Sequence, residues 1–280
     1  MNKVSDILSF FLKELKGSYP ENEIRSIFYI SIEHILNYSK SDTIIMSNEE
    51  LKEHLKITFI EIVERLLKRE PIQYILMETT FYGLPFFSRR GVLIPRQETE
   101  ELVDWIIKDN ESSEKRYLDI GTGSACIIVS LAKNLQGSFY GIDVSPNALR
   151  EAKQNIIRNN VDVILDKVDI LNSDLSGNWD VIVSNPPYVL ESEKKYMKQN
   201  VLNWEPEIAL FVEDSDPLIF YRIIAEQATK VLNKNGILYF EINESFGQET
   251  IDLLDEKGFV NIELKKDIND KDRMVKAIWK

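Results

Sequence analysis

The sequence predicts an α/β protein in which a small helical bundle and a β-hairpin precede a doubly wound, mostly parallel sheet. Three observations support this prediction. Apolar residues recur at steps of three and four near the start of the chain, which is typical of amphipathic helices. Aromatic runs then flank a Gly-Leu-Pro turn, which is typical of a hairpin. From residue 96 onward, short apolar runs alternate with helical patterns, as in a doubly wound sheet.

The first 75 of the 280 residues form a predicted helical bundle. We expect the segment from Ser47 to Glu50 to be a capping box that starts a later helix. The bundle is either a substrate-recognition domain or a module for folding or dimerisation, and the sequence leaves both open. Two apolar stripes support the first two helices, with Val4, Ile7, Leu8, Phe11 and Leu15 in one and Ile24, Phe28, Ile32 and Ile35 in the other.

Residues 76–95 form a predicted linker. Two aromatic runs, residues 79–82 and Phe86-Phe87, flank Gly83 and predict a hairpin. We expect residues 91–95 to continue this hairpin as an extended strand.

Residues 96–280 form the predicted sheet domain. Most of its strand candidates are continuous apolar runs, as expected for strands covered on both faces. Helical patterns lie between them, for example at residues 147–159 and 218–232. The strand candidates are residues 117–120, 139–143, 163–168, 180–184, 237–242, 261–265 and 274–278.

Composition narrows the class of protein. The net charge of −12 and the pI near 4.9 count against a duplex-binding surface, which normally needs a basic face. Cys126 is the single cysteine, so no internal disulfide can form. His34 and His54 are isolated and predict no metal site. No run is long enough to span a bilayer, and the first residues lack a secretory pattern, so we expect a cytoplasmic protein.

A glycine-rich segment follows the first strand of the predicted sheet. We call residues 121–125 the glycine loop. Gly121 and Gly123 allow a sharp turn and a close approach to a ligand. Asp143 ends the next strand, 20 positions after Gly123, where a carboxylate suits ribose hydroxyls. The loop alone is typical of nicotinamide, flavin and methyl-donor sites, and together with Asp143 it still leaves several adenosine-containing cofactors open. Alternatively, Asp143 is a helix N-cap before Ser145.

A second segment follows the fourth strand of this sheet. We call residues 185–188, Asn-Pro-Pro-Tyr, the acceptor loop. The Asn185 side-chain carbonyl can accept a hydrogen bond from a substrate N–H, and Pro186 and Pro187 stiffen the loop so that a backbone carbonyl aims at the same atom. Tyr188 offers a flat face to a planar group. The segment therefore predicts a planar amide or amino nitrogen as methyl acceptor.

The lone pair of an amide nitrogen is delocalised, which makes it a poor nucleophile. Two hydrogen-bond acceptors on its hydrogens increase the electron density on the nitrogen and align its lone pair with the methyl–sulfur bond of the donor. Such positioning lowers a reaction barrier by up to about 7–11 kcal/mol. A sulfonium methyl donor is already activated, so neither a metal nor a strong base is needed. A dehydrogenase would have no use for the acceptor loop at this place.

The chain resembles the HemK/PrmC family, the protein-(glutamine-N5) methyltransferases of peptide-chain release factors, over nearly its whole length. The resemblance implies an N-terminal helical bundle, a hairpin linker and a Rossmann-like seven-stranded class I methyltransferase domain. It also implies methylation of the glutamine side-chain amide in the Gly-Gly-Gln loop of release factors. It further implies S-adenosyl-L-methionine as the donor, S-adenosyl-L-homocysteine as the product, and no metal. The matching segments are residues 70–75, 81–84 and 93–100, the glycine and acceptor loops, Glu205-Pro206, Ala209-Leu210 and Asp272-Arg273.

The resemblance also implies the roles of individual residues. Asn185, Pro186 and Tyr188 are the expected catalytic residues, and with Pro187 they bind the glutamine. Glu98 and Glu100 are supporting residues. The donor site is implied at Gly121, Thr122, Gly123, Ser124, Ala125, Asp143, Asp169, Ile170 and Asn185.

Four positions depart from the usual family residues. Gln97 replaces a proline, and Ala125 and Asp270 each replace a glycine. Ile170 stands where an aromatic residue is common. These departures bear on donor binding more than on the reaction class.

Two alternatives share the acceptor loop. One is a glutamine methyltransferase of a ribosomal protein, although residues 94–100 match the release-factor branch better. The other is a nucleic-acid exocyclic-amino methyltransferase, which would need a flipped base and usually a basic cleft. We expect release factors as partners, no direct contact with nucleic acid or membrane, and a monomer.

Overall fold

The computed structural model describes residues 1–111 and 114–280. The chain folds as two compact units. One comprises Met1–Met77 with Lys198–Trp204, and the other comprises Glu78–Met197 with Glu205–Lys280. The division into domains at residues 75 and 95 stays a prediction.

The described residues form helices and strands in the following order. The helices are α1 (Val4–Glu14), α2 (Glu21–Leu36), α3 (Lys40–Ile45), α4 (Glu53–Leu67), α5 (Ile72–Leu76), α6 (Gln97–Asn110), α7 (Cys126–Asn134), α8 (Pro146–Asn159), α9 (Gln199–Trp204), α10 (Ile219–Val231) and α11 (Gly247–Glu256). The strands are β1 (Glu78–Phe81), β2 (Leu84–Phe87), β3 (Lys115–Ile120), β4 (Gly137–Asp143), β5 (Val163–Lys167), β6 (Trp179–Ser184), β7 (Val189–Leu190), β8 (Phe211–Val212), β9 (Leu232–Glu241), β10 (Val260–Lys266) and β11 (Asp272–Ile278).

The first unit is a helical bundle, as the apolar stripes predict. Its core holds Phe11 of α1, whose ring lies 6.1 Å from that of Phe28 and 6.3 Å from that of Phe59 in edge-to-face geometry. Such pairs add to the stabilisation from apolar burial. Within residues 1–111 and 114–280, no helix combines the length and the apolar character that crossing a bilayer requires.

The predicted capping box at Ser47 is wrong. Helix α4 begins at Glu53, with Lys52 at the N-cap. The Ser47 carbonyl instead accepts the backbone N–H of Ser5, so this segment runs against the start of α1. A capping box does occur earlier, where Ser39 starts α3, a helix that the sequence pattern did not reveal.

The hairpin is present as predicted. Strands β1 and β2 pair antiparallel, and the turn residues Tyr82 and Gly83 have φ of 48° and 71°. Two left-handed residues form the turn that matches strand twist. Glu100, one of the two expected supporting residues, accepts a 2.9 Å hydrogen bond from the Tyr82 N–H of this turn.

The predicted extended strand at residues 91–95 is wrong. The Val92 N–H closes a turn onto the Arg89 carbonyl, and Gly91 has φ of 95°. The Ile94 N–H donates to the side chain of Glu205 at 3.1 Å instead of to a neighbouring strand. Residues 91–95 therefore form an irregular segment whose backbone is bound by a side chain.

The second unit contains a seven-stranded sheet in the order β10-β11-β9-β6-β3-β4-β5, in which β11 alone runs antiparallel to its neighbours. This confirms the predicted fold class and all seven strands. The largest difference in bounds is at β9, which begins at Leu232 instead of at residue 237.

Apolar cores cover both faces of the sheet. Successive side chains of a strand point to opposite faces. Val181 and Val183 of β6 therefore enter the core beneath α6, α7 and α8, and Ile182 enters the core beneath α10 and α11. The continuous apolar runs in the sequence follow from this two-sided burial.

Both residues that replace a family glycine have a left-handed backbone conformation. Ala125 has φ of 66° and Asp270 has φ of 61°. A Cβ there costs roughly 1–2 kcal/mol, although Asp tolerates this conformation better than Ala. Glycine at these positions would relieve that strain.

Candidate functional site

The strand order places a cleft at the carboxyl ends of β3 and β6. In the sheet, β4 and β5 lie on one side of β3, whereas β6 and β9 lie on the other side. Ligands of open α/β sheets bind at such a switch point. A cavity of about 250 Å³ lies here, lined by residues 121–124 of the glycine loop, residues 185–187 of the acceptor loop, and residues 91–93, 95 and 96 among others.

The glycine loop and Asp143 are joined directly. Gly121 and Gly123 have φ of 72° and 55°. Asp143 Oδ2 accepts the Gly123 N–H at 2.9 Å, and Oδ1 accepts the Ser145 N–H at 2.8 Å. Ser145, not Asp143, is the N-cap of α8. Each Asp143 oxygen keeps a lone pair that can accept a hydrogen bond from a hydroxyl group. Burial raises the pKa of Asp143, and these N–H groups oppose that rise.

Asp119, just before the glycine loop, is a buried carboxyl group to which the sequence reasoning gave no role. It is fully buried at the end of β3, and Thr122 donates to its Oδ2 at 2.6 Å. Its Oδ1 has no partner among the described residues. Burial raises the pKa of Asp119 to about 7, with a smaller contribution from Asp143. An acidic residue inside an apolar strand is the signal that would have identified it.

Asp169 and Ile170, which follow β5, also line the cavity. Asp169 Oδ1 accepts the Leu171 N–H at 3.0 Å, and Oδ2 accepts Asn172 Nδ2 at 2.9 Å. These bonds fix the local turn. Ile170 therefore presents an apolar surface where a flat ring can pack.

The acceptor loop begins directly after β6, and Asn185, Pro186 and Pro187 line the cavity. Asn185 Nδ2 donates to Thr99 Oγ1 at 3.2 Å. Thr99 in turn donates to Glu241 Oε2 at 2.6 Å. The amide of Asn185 is thus held by a chain of hydrogen bonds.

Two of the expected site residues are not part of the cavity wall. Ala125 is fully buried in the core beneath α6, α7 and α8. Tyr188 packs against the opposite core, and its hydroxyl donates to Glu241 Oε1 at 3.0 Å. Burial raises the pKa of Tyr188 well above its ordinary value. The other expected residues line one cavity.

Glu205, whose role the sequence did not indicate, fixes the rim of this cavity. Its side chain is 1% exposed, accepts Arg96 at 2.6 Å and also binds the Ile94 N–H. The resemblance covered Glu205 and Arg96 without indicating that they pair. The pair holds residues 94–96, so that Pro95 and Arg96 line the cavity.

The residues present define the ligand that fits. The Asp143 oxygens suit neighbouring hydroxyl groups, and the side chain of Ile170 suits a flat apolar ring. Asp119 does not line the cavity, but its neighbours Ile120 and Thr122 do, and its unpaired oxygen favours a cationic centre nearby. A nucleoside that carries a positive charge combines these properties.

The chain matches two known families. Residues 6–76 match the PrmC N-terminal domain, and residues 111–280 match a methyltransferase domain.

Similar proteins agree with these matches. A release factor glutamine methyltransferase of Flavobacterium psychrophilum is 48% identical over 273 residues, which cover 95% of this chain and 96% of the relative. One of Bacteroides thetaiotaomicron is 42% identical over 99% of both chains. The crystal structure of a methyltransferase from Pyrococcus furiosus shares the fold, with a TM-score of 0.53 and 20% identity over 77% of this chain and 96% of that one.

Proposed function

The chain belongs to the family of release factor glutamine methyltransferases, and on that basis we propose that it methylates a peptide-chain release factor. The acceptor is the side-chain amide nitrogen of the glutamine in the Gly-Gly-Gln loop. The observation that carries the proposal is the anchored amide of Asn185 at the cavity, beside the glycine loop.

Asn185 orients the acceptor. With Nδ2 bound to Thr99, its Oδ1 is available to accept an N–H of the glutamine amide. Pro186 has no N–H of its own, and its backbone carbonyl is the second acceptor in this scheme. Two acceptors raise the electron density of the nitrogen and hold its lone pair in one direction.

Pro187 and Tyr188 complete the loop that grips the glutamine. Tyr188 is anchored by Glu241, and Asn243 Nδ2 donates to the Tyr188 carbonyl at 3.1 Å. The loop is therefore fixed at both ends before a substrate binds. Tyr188 acts by holding the shape of the loop and not by proton transfer, because its pKa is raised well above neutral pH.

The donor site comprises the glycine loop, Asp143, Asp169, Ile170 and Asn185. S-adenosyl-L-methionine, when bound, supplies a methyl group on a sulfonium that is already activated. Asp143 would hold the ribose hydroxyls, and the side chain of Ile170 would pack on the adenine. No general base is required, since the proton can leave to water after transfer, and the product is S-adenosyl-L-homocysteine.

The helical bundle, residues 1–75, is the proposed recognition domain for the release factor. The protein works as a monomer in the cytoplasm, where release factors act. It has no direct contact with nucleic acid.

Mass spectrometry tests the function. Release factor incubated with the enzyme and S-adenosyl-L-methionine should gain one methyl group on the glutamine of its Gly-Gly-Gln loop. A release factor whose glutamine is replaced by alanine is the matched control and should gain none. Methylation of a ribosomal protein or a nucleic acid, with the release factor unmodified, would overturn the choice of substrate.

A further inference from the structure

Glu241 lies at the end of β9, next to β6, and reaches the acceptor loop through Thr99. We propose that Glu241 is a positioning residue that sets the direction of this hydrogen-bond relay and thereby determines which end of the Asn185 amide faces the substrate. This inference rests on the proposed function.

Both oxygens of Glu241 are in use. The residue is 1% exposed, Oε2 accepts a hydrogen bond from the Thr99 hydroxyl at 2.6 Å, and Oε1 accepts one from the Tyr188 hydroxyl at 3.0 Å. An ionised carboxylate accepts hydrogen bonds and cannot donate them. Thr99 and Tyr188 must therefore both point their hydroxyl hydrogens at Glu241.

The orientation of the Thr99 hydroxyl fixes the orientation of the Asn185 amide. A hydroxyl has one hydrogen, and the hydrogen of Thr99 is committed to Glu241. Toward Asn185, 3.2 Å away, Thr99 can only accept. The amide must therefore present Nδ2 to Thr99 and turn Oδ1 away from it. The two flips of an Asn amide have nearly the same shape, so the network alone selects between them.

The selected flip is the productive one. The glutamine amide presents N–H groups to the loop, and Oδ1 of Asn185 accepts one of them. In the opposite flip, Nδ2 would face those N–H groups as a second donor. Whether the side chain at position 241 accepts or donates a hydrogen bond thus decides whether Asn185 attracts or repels the acceptor nitrogen.

Three polar neighbours of Glu241 oppose the effect of burial on its carboxylate. Burial raises its pKa, and the hydroxyls of Thr99 and Tyr188 oppose that rise, as does the charge of Arg273. Arg273 Nη1 is anchored by the Ile242 carbonyl at 3.2 Å, next to Glu241 in the chain. Arg273 is thus held in a position that supports the carboxylate.

The test is the substitution Glu241→Gln, which keeps the shape but changes the polarity. With its carbonyl on Tyr188, the Gln would donate to Thr99, which frees the Thr99 hydrogen for Asn185 Oδ1 and flips the amide. We expect kcat for release-factor methylation to fall about 100-fold, the loss typical of one misdirected polar group at a reacting centre. Donor affinity by calorimetry and thermal stability should stay close to wild type.

Three further variants separate the relay from a structural role. Thr99→Ser retains the hydroxyl and should keep most activity, and Thr99→Val breaks the relay. In the Thr99→Val background, Glu241→Gln should add little further loss, because the relay is already absent. Full additivity of the two losses would overturn the inference. Glu249→Gln, on the exposed face of α11, is the matched control and should resemble wild type.

The relay is also observable without a substrate. In the free enzyme, NMR should show the Asn185 side-chain NH₂ close to the Thr99 methyl, and Glu241→Gln should remove that proximity. An unchanged signal in the variant would refute the relay. Should the wild-type enzyme leave release factors unmethylated, the proposed function fails, while this NMR result still decides the inference.

Discussion

The carboxylate of Asp143 lies 2.9 Å from the backbone nitrogen of Gly123, although 20 positions separate them in the chain. The residue at the end of β4 therefore fixes the turn that follows β3. Its other oxygen binds the Ser145 N–H, at the start of α8. One side chain thus joins three elements at the donor side of the cavity.

Replacing Asp143 should weaken donor binding. Asp143→Ala removes the acceptor proposed for the ribose hydroxyls and the anchor of the glycine loop. Hydrogen bonds to a charged group contribute about 1.5–3 kcal/mol, which corresponds to roughly a 10- to 100-fold rise in Kd for S-adenosyl-L-methionine. Calorimetry measures this change in Kd, with Asp166→Ala, at an exposed position of β5, as the control. Equal affinities for Asp143→Ala and wild type would refute the ribose role.

Replacing Asn185 should separate transfer from donor binding. Asn185→Ala removes the acceptor for the glutamine amide, so we expect methyl transfer to fall by at least about 100-fold. Donor affinity should change little, because the glycine loop and Asp143 remain. Single-turnover assays with labelled donor measure the first quantity and calorimetry the second. Wild-type turnover in the variant would exclude Asn185 as the orienting residue.

Local patterns in the sequence predicted the sheet but not the contacts that complete the site. Strands such as β6 are continuous apolar runs, and their periodicity is visible in any short window. Thr99 and Glu241 are 142 positions apart, and Ile94 and Glu205 are 111 apart. No local pattern encodes such pairs.

The two wrong predictions have the same cause. Ser47 looked like an N-cap, but its carbonyl accepts the N–H of Ser5 instead. Residues 91–95 looked extended, but a side chain from a distant segment binds their backbone. In both cases tertiary hydrogen bonds overrode the local preference.

Stability should depend on the protonation of Glu151, a buried residue of α8. It accepts the Arg89 N–H at 2.8 Å, and burial raises its pKa from the ordinary 4.5 to about 7. Between these values the folded chain keeps a proton that the unfolded chain has lost, so stability falls as pH rises. Above pH 7 this effect lowers the free energy of unfolding by up to about 3 kcal/mol, by the usual conversion of pKa shifts.

Glu151→Gln should remove this dependence, because the amide stays neutral at every pH. Relative to wild type, the variant should gain thermal stability from pH 5 to about pH 7 and little more up to pH 8, and differential scanning calorimetry across this range measures the difference. Glu249→Gln, at an exposed position of α11, should show no such trend. A stability difference that is constant with pH would contradict the assignment.

Donor affinity should depend on the ionisation of Asp119. In the free enzyme its pKa is raised to about 7 by burial, so it is largely neutral at pH 6 and ionised at pH 8. The ionised form attracts the cationic donor more strongly, which lowers the pKa of Asp119 when the donor binds. Affinity for S-adenosyl-L-methionine should therefore rise from pH 6 to pH 8, and binding near pH 7 should release part of a proton. Calorimetry in buffers of different ionisation enthalpy measures that release.

The α-amino group of the donor titrates too, so Asp119→Asn is the reference variant. It should bind the donor more weakly than wild type at pH 8 and lose the part of the pH dependence that belongs to the carboxylate. If the two proteins show the same pH profile, Asp119 does not sense the donor charge.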